Sequence, residues 1–492
     1  MSASRTSRKL VLTYVDSLRT DMLERAVAED RAPTFGALLE RGVLVPDCVS
    51  SFPSVTPVAS AEMVTGVGSD RHWISGMNWY HRLERRYVEY GSSLDATRSV
   101  GVFRALYDLV YNMNLSHLSP EVETVFESLE DAGARTACTP FLIYRGRRRH
   151  QISLEGLMRR AVDATRLKFR HHTWGPTELF YGDLYASRAV PCKSTSIPGM
   201  RDPYSACCAA ELVKDDAFDF LLFSLADNDN YSHRHGPEGT VESIARADHC
   251  FSTVVEAAGG LDAFLDRYAL ILVADHAQTD VERGLPLTEL LARDWTVLEP
   301  SDDRPEPAQL AVSPTGRAAH VYLLPGEGER ADPAEVRRRL AATEGVDLVC
   351  WLDGPELAVV ERRGEQLRFR PGDQVGDLTG GRWDLEGDPE VLLAAVEGGV
   401  LRSEEYPDPL ARVYSALRSP QAGDVIVSLA LGYEAVDWGG VTHAGGGSHG
   451  ALQRGDSLGP LLFVGCGPAE AGEREQWTLR DVAPAVLEHF GI

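Results

Sequence analysis

KLVLTYVDSLR, residues 9–19, is a mostly apolar run that ends abruptly on a carboxylate, Asp16. A run of this length without polar alternation reads as a strand buried on both faces, with its first polar residue at the carboxyl end. The same signature recurs downstream. YALILVA (Tyr268–Ala274) ends on Asp275-His276, and DAFDFLLFSL (Asp216–Leu225) leads into DNDNYSHRHGP with Asp229 and His233. LLFV (Leu461–Val464) follows the Gly-rich GGGSHG that carries His449. Helical stretches separate the runs, among them Thr20–Val27 and Pro33–Arg41 after the first. Strands alternating with helices predict an α/β fold with a central, largely parallel sheet flanked by helices. Such folds place their chemistry at the carboxyl ends of the strands, where these acidic and histidine residues fall.

Two stretches interrupt the pattern. Residues 80–210 are longer than one crossover needs and predict a lid-like insertion, with a helix within Pro120–Ala132. EPSDDRPEPAQ, from Glu299, reads as a linker and opens a second insertion. There AAHVYLL, ADPAEVRRRLAAT, DLVCWL, ELAVVER and QLRFRPG spell strand, helix and further strands, a smaller α+β module over 296–420. The expected organisation is a core over 1–295, that module, and a final core segment over 421–492 bearing the last candidate ligand.

A formal net charge of −24 argues against a nucleic-acid polymer as partner, because such a partner requires a basic face. A small anionic, phosphate-containing substrate remains compatible, since bound cations reverse the local sign of a site. The eight cysteines show no CxxC pair or regular spacing, which predicts reduced, buried thiols. No run is apolar over about 18 residues, and the first residues lack a signal-peptide core. These features predict a soluble, cytoplasmic protein without a membrane partner; oligomeric state is not legible.

Three carboxylates (Asp16, Asp229, Asp275) and three imidazoles (His233, His276, His449) are a donor set for two divalent ions. Mixed N/O donors of this kind suit zinc, with manganese as the alternative. Asp16, Asp275 and His276 would serve one ion, and Asp229, His233 and His449 the other. Asp229 and His233, four residues apart, share one helical face or turn. His235 and His443 compete as neighbours of these ligands. A single strand-end Asp is more simply a helix cap; six such residues together are not. The nucleophile candidate lies in SSFPSVTPVASAEMVTG, residues 50–66 counted from Ser50 to Gly66. Thr56 precedes Pro57 and a helical run, which predicts an N-cap threonine with Pro at N1. Ser51, Ser54 and Ser60 are its competitors.

VDSLR, PSVTPVASAEMVTG, DNDNYSHRHGP, VADHA and GGSHG occur in an order that resembles the type I phosphodiesterase/nucleotide pyrophosphatase family of the alkaline phosphatase superfamily. The resemblance implies an alkaline-phosphatase-like fold, two metal sites as partitioned above with Thr56 joining Asp16, Asp275 and His276, and a phosphothreonine intermediate. It implies hydrolysis of phosphodiester or pyrophosphate bonds in nucleotide-type substrates. The chain departs from that family after the nucleophile. Thr56-Pro57-Val58-Ala59 lacks the Asn of Thr-Phe-Pro-Asn, and Asn78 is the candidate substitute. This departure keeps open a phosphomonoesterase or a phosphonoacetate-hydrolase-like enzyme, and, from another class, a non-catalytic metal-binding protein. The basic run YRGRRRH (Tyr144–His150), continued by Arg159, Arg160, Arg166, Lys168 and Arg170, is either a solvated face or a lid over an anionic substrate. Arg145 and Arg149 are its candidate substrate contacts, since guanidinium forks match phosphate oxygens.

Overall fold

Leu10, Leu12 and Tyr14 of strand Lys9–Val15 enter one hydrophobic core, and Val11 and Val15 enter another. This follows from the period of two in a strand and explains why the run reads as continuously apolar. The computed structural model describes residues 8–151, 172–182, 186–193, 201–302, 306–325, 330–469 and 471–492. Its central sheet has the order Val43–Val49, Leu458–Val464, Tyr268–Val273, Lys9–Val15, Phe220–Leu225, Thr136–Cys138, Glu178–Leu179. Lys9–Val15 is central, with Leu12 opposite Ile271 on one side and Leu222 on the other, both in parallel register. Leu458–Val464 runs antiparallel to its two neighbours. The other described strands of this sheet share one direction, so Asp16, the residues after Leu225, and Asp275 emerge at one edge.

Helix Thr56–Thr65 covers one face through Val58, Ala59, Ala61, Met63 and Val64. Helices Thr20–Ala28, Asp202–Lys214 and Val241–Ala257 cover the other. The stretch Asp216–Leu225 ends in a strand as expected, Phe220–Leu225, after Asp216 adopts φ 51° in the turn that ends helix Asp202–Lys214. In the first insertion the expected helix is Val125–Asp131, fixed at its start by reciprocal Thr124 and Glu127 caps.

The second insertion forms a nine-stranded sheet that starts Leu310–Thr315, Ala318–Leu323, Val425–Leu429, Val346–Asp353, Leu357–Arg362, Glu365–Gly376. Its third strand therefore comes from beyond residue 420. Helix Pro333–Ala341 begins with Asp332 capping the Ala334 N–H.

One buried ion pair joins this sheet to the final core segment. Arg317 and Asp456 are both 0% exposed and pair through Nη1 and Oδ1. Arg317 also donates to the carbonyls of Tyr433 and Ala430, and its backbone N–H donates to His449 O at 2.7 Å.

The cysteines correct the expectation of eight reduced thiols. Cys192 and Cys207 form a disulfide across 15 residues. Helix Asp202–Lys214 carries Cys207 to within a Cα–Cα distance of 5.6 Å of Cys192, inside bridging range. The irregular spacing carried no hint of it. The remaining six are free, five of them buried. No helix among the described residues is long and apolar enough to cross a membrane.

Removing one member of a buried ion pair leaves an uncompensated charge and costs about 3–5 kcal/mol. Arg317→Met is expected to lower the urea midpoint accordingly, and Arg317→Met/Asp456→Leu to recover part of that loss. An unchanged midpoint for the single variant would show that the pair does not hold the two sheets together.

Candidate functional site

Asp16, Asp229, Asp275, His233, His276 and His449 converge at the carboxyl edge of the central sheet. Asp16 follows its strand directly and its N–H donates to Leu225 O at 2.9 Å, which registers it against the neighbouring strand. Asp229 and His233 lie on helix Asp227–His235, four residues apart, with Nε2 3.3 Å from Asp229 Oδ1. Asp275 Oδ2 lies 3.2 Å from His276 Nε2, and Asp16 Oδ1 lies 3.9 Å from the same nitrogen. His449 Nε2 reaches to 3.6 Å from Asp229 Oδ1, and its ring stacks on His276 with centroids 3.7 Å apart.

His449 arrives by a close approach of backbones. A Cβ on Gly446 would lie 2.0 Å from His233 O, so the Gly-rich loop is the only chemistry that fits against that helix end. Short strand Gly447–Ser448 then pairs with Thr279 and Asp280, which follow the Asp275-His276 island after two intervening residues.

The three imidazoles share one feature. Their Nδ1 atoms face backbone carbonyls: His233 to Gly447 O at 2.8 Å, His449 to Ser54 O at 2.8 Å, and His276 to Ala277 O at 3.2 Å. A carbonyl only accepts, so Nδ1 carries the proton, and in the neutral ring the Nε2 lone pair faces the carboxylates. This is the tautomer of a metal-ligating histidine. Asp16 Oδ1 is buried with no hydrogen-bond partner. Burial, then the charges of Asp275 and Asp229, push the Asp16 carboxyl well above the usual range. Burial moves Asp275 to about 6 against the opposing Ser17 N–H, and lowers His276 to about 4. Burial also opposes ionisation of Asp229, but His233, His449 and His276 outweigh it and hold that carboxylate well below its ordinary value. An orphaned carboxylate oxygen, clustered like charges and inward Nε2 atoms fit divalent cations. Two triads have donor atoms mutually within 4.8 Å: Asp16, Asp275 and His276, and Asp229, His276 and His449. His276 thus faces both groups, and His233 joins the second through Asp229.

Thr56 is the first residue of helix Thr56–Thr65; the extended Val55 takes the cap position expected for it. The threonine hydroxyl does not cap its own helix because it faces His276 Nε2 at 3.2 Å. Pro57 has no N–H, and the Val58 and Ala59 N–H groups turn back onto Val55 O, which leaves the Thr56 N–H open to a ligand. The competing serines are committed or buried: Ser51 Oγ donates to Pro53 O, Ser54 Oγ to Ala451 O, and Ser60 is 0% exposed.

Sequence reasoning missed a ring of supporting groups. Ser17, at φ 56°, places Oγ 2.8 Å from Asp229 Oδ1 and 3.1 Å from His276 Nδ1. Gln278 Nε2 donates to Asp229 Oδ1 at 2.6 Å, and Tyr14 OH donates to Asp275 Oδ2 at 3.0 Å. All three are within two residues of a ligand, which is their one signal in sequence. His443 stacks on His233 with centroids 4.0 Å apart and bonds Glu434 through Nδ1, a supporting position. His235 packs instead on Tyr231.

Of the three expected substrate contacts, Asn78 lies on a two-stranded ribbon opposite Glu89, its side-chain Oδ1 and Nδ2 buried without a hydrogen-bond partner among the described residues. Arg145 spends its guanidinium on Glu127 and the carbonyls of Leu118, Ser119 and Val122, so it is a structural strut. Arg149 is exposed on strand Arg148–Gln151. Arg159, Arg160, Arg166, Lys168 and Arg170 lie outside the described residues.

The family model for type I phosphodiesterase/nucleotide pyrophosphatase matches residues 10–379. No curated protein sequence matches the chain. Among solved structures, phosphonoacetate hydrolase from Sinorhizobium meliloti in complex with phosphonoformate shares 15% identity at a TM-score of 0.55, covering 98% of this chain and 96% of that one. Murine ectonucleotide pyrophosphatase/phosphodiesterase 5 shares 14% at the same TM-score of 0.55, covering 98% and 95%. At these identities the structural likeness speaks for the fold, which is alkaline-phosphatase-like as expected. The family match spans well over half the chain and takes in every candidate ligand except His449. The chain therefore belongs to the type I phosphodiesterase/nucleotide pyrophosphatase family, as a hydrolase of that type.

Proposed function

We propose that this protein hydrolyses a phosphodiester or pyrophosphate bond in a small nucleotide-type substrate through a phosphothreonine at Thr56. The observation that carries the reading is the Thr56 hydroxyl, directed away from its own helix and 3.2 Å from His276 Nε2 where both donor triads meet. Two divalent ions, zinc or alternatively manganese, held by Asp16, Asp275 and His276 and by Asp229, His233 and His449, would supply Lewis-acid neutralisation of phosphoryl charge. The Thr56 N–H at the helix start donates to a phosphoryl oxygen, aided by the partial positive charge of that helix end. Thr56 gives up its hydroxyl proton to water and its Oγ bonds to phosphorus as the opposite P–O bond breaks, the leaving oxygen keeping the electron pair and taking up a proton from water. Water then cleaves the phosphothreonine, releasing the second product and restoring the hydroxyl. Tyr14, Ser17 and Gln278 hold the carboxylates in place throughout.

A second reading, cleavage of a monoester or a carbon–phosphorus bond, is favoured by Val58-Ala59 after the nucleophile, where the asparagine of Thr-Phe-Pro-Asn is absent. Bis-p-nitrophenyl phosphate, p-nitrophenyl phosphate and phosphonoacetate, offered to the zinc-loaded protein, separate the readings. Preference for the first supports the diesterase, and preference for either other substrate transfers the proposal.

Thr56→Ala is expected to abolish turnover, a loss of at least about 10³-fold, while zinc content by elemental analysis stays at the wild-type level. Wild-type turnover in this variant would remove Thr56 from the mechanism.

Loss of a supporting partner typically weakens metal binding by about 10–100-fold. Gln278→Ala is expected to do so in competition with a chromophoric chelator. Equal affinity would mean that Gln278 does not position Asp229.

A further inference from the structure

The turn that leads to Thr56 and the loop that returns with His449 lie side by side. Ser54 joins them through three bonds. Its O faces His449 Nδ1 at 2.8 Å, its N–H donates to Gly450 O at 3.3 Å, and its Oγ donates to Ala451 O at 2.8 Å. Thr56 follows two residues later, so the site inherits the position of a short stretch, residues 51–55, that belongs to no helix or strand.

What holds that stretch comes from elsewhere in the chain. Arg412, on helix Pro409–Arg418, is 4% exposed and divides its fork between the two segments. Nη2 donates to Ser51 O at 2.8 Å and to Ser457 Oγ at 2.7 Å. Nη1 donates to Leu452 O at 3.1 Å and to Pro407 O at 2.9 Å. Ser457 Oγ donates onward to Gln453 O at 2.8 Å, and its O accepts the Ser50 N–H at 2.8 Å. Phe52 and Leu452 are buried in one core with Leu410 and Val413 of the same helix. One guanidinium thus ties the chain just before Thr56 to the chain just after His449.

Cohesion alone is a poor account of this residue. All four acceptors are neutral, and Nε is buried without a partner among the described residues. Burial lowers the guanidinium to about 10, opposed by Asp408 and Glu62, so the cation persists at neutral pH. Desolvating a cation is costly, and an apolar side chain of similar volume packs a helix without that cost. What the apolar side chain lacks is a rigid, planar set of donors, which fixes the spacing of the carbonyls it holds.

We propose that Arg412 is a positioning residue of the site, holding the nucleophile turn against the return loop so that Thr56 Oγ keeps its place relative to His449. The assignment rests on the roles given to Thr56 and His449 above. Arg412 touches no reacting atom; it acts through Ser51 and Leu452. Small displacements of this kind matter, because a misplacement of about 1 Å caused far from the chemistry can cost on the order of 10²-fold in rate.

The test compares wild type with Arg412→Lys, Arg412→Met and the milder Ser457→Ala, which removes one of the four acceptors. Each is checked for folding by thermal melting. Kinetics use zinc-loaded protein and bis-p-nitrophenyl phosphate, and the visible absorption of the cobalt(II)-substituted protein reports the surroundings of His449 without turnover. Both arginine variants are expected to lose at least about tenfold in kcat with KM within about threefold of wild type, and to shift the cobalt bands. Lysine, a point charge without the fork, does not rescue. Ser457→Ala is expected to move both readouts the same way by less, and it decides the matter if the arginine variants do not fold. Wild-type kcat and cobalt bands in the folded variants overturn the assignment, even where the thermal midpoint falls. If wild type does not hydrolyse the ester, the hydrolytic reading fails on that substrate and the cobalt bands decide alone. Shifted bands then keep Arg412 as the residue that positions the His449 loop, and unshifted bands remove it.

Discussion

Everything at this site depends on bringing three carboxylates together at one edge of a sheet where water is largely excluded. Parallel strands do this geometrically, because Lys9–Val15, Phe220–Leu225 and Tyr268–Val273 all end on the same side. The same arrangement is electrostatically unfavourable: burial and mutual repulsion raise Asp16 well above an ordinary carboxylate. The surrounding residues answer that repulsion with donors and imidazoles, not with apolar packing. Ser17, Tyr14 and Gln278 donate to the carboxylates, and three histidines turn Nε2 toward them. Backbone carbonyls fix those rings by taking the Nδ1 protons. The scaffold thus selects the tautomer, and with it the chemistry, before any ligand enters.

The sheet and its acidic edge were legible because two physical signals coincide. Strands buried on both faces cannot alternate, so they stand out as apolar runs, and the first polar residue after each is placed by where the run ends. That logic located Asp16 and Asp275 directly. It located Asp229 and His233 through helical spacing, and the ordered motifs of the family reached His449. The opposite orientation of Leu458–Val464 was not legible, since pairing direction leaves no mark on an apolar run. Side-chain competition for partners was equally hidden. Arg145 looked like a substrate contact by composition, yet the carbonyls after Leu118 end a ten-residue π-helical segment, Asp108–His117, and need a donor. The Cys192–Cys207 bridge was hidden too: helix geometry, not spacing, made them neighbours.

The order of the ligands along the chain has a consequence for assembly. Asp16, Thr56, Asp229, His233, Asp275 and His276 lie before the second insertion and His449 lies after it. The chain builds an entire second sheet before returning with its last ligand, a long loop whose closure carries an entropic cost that rises slowly with length. The return is guided by contacts that belong to the insertion. A Cβ on Gly316 would strike His449 O at 2.2 Å, and the Arg317 N–H donates to that same carbonyl. Arg317 simultaneously holds Asp456, beyond the ligand, by a pair that is fully buried. Residues 316 and 317 therefore grip His449 from both sides of its sequence position. The second sheet is in this sense part of the site, because His449 is positioned by it and not by the central sheet alone. Binding that depends on all the donors then draws on the docking of both sheets, and site formation and global folding become one equilibrium.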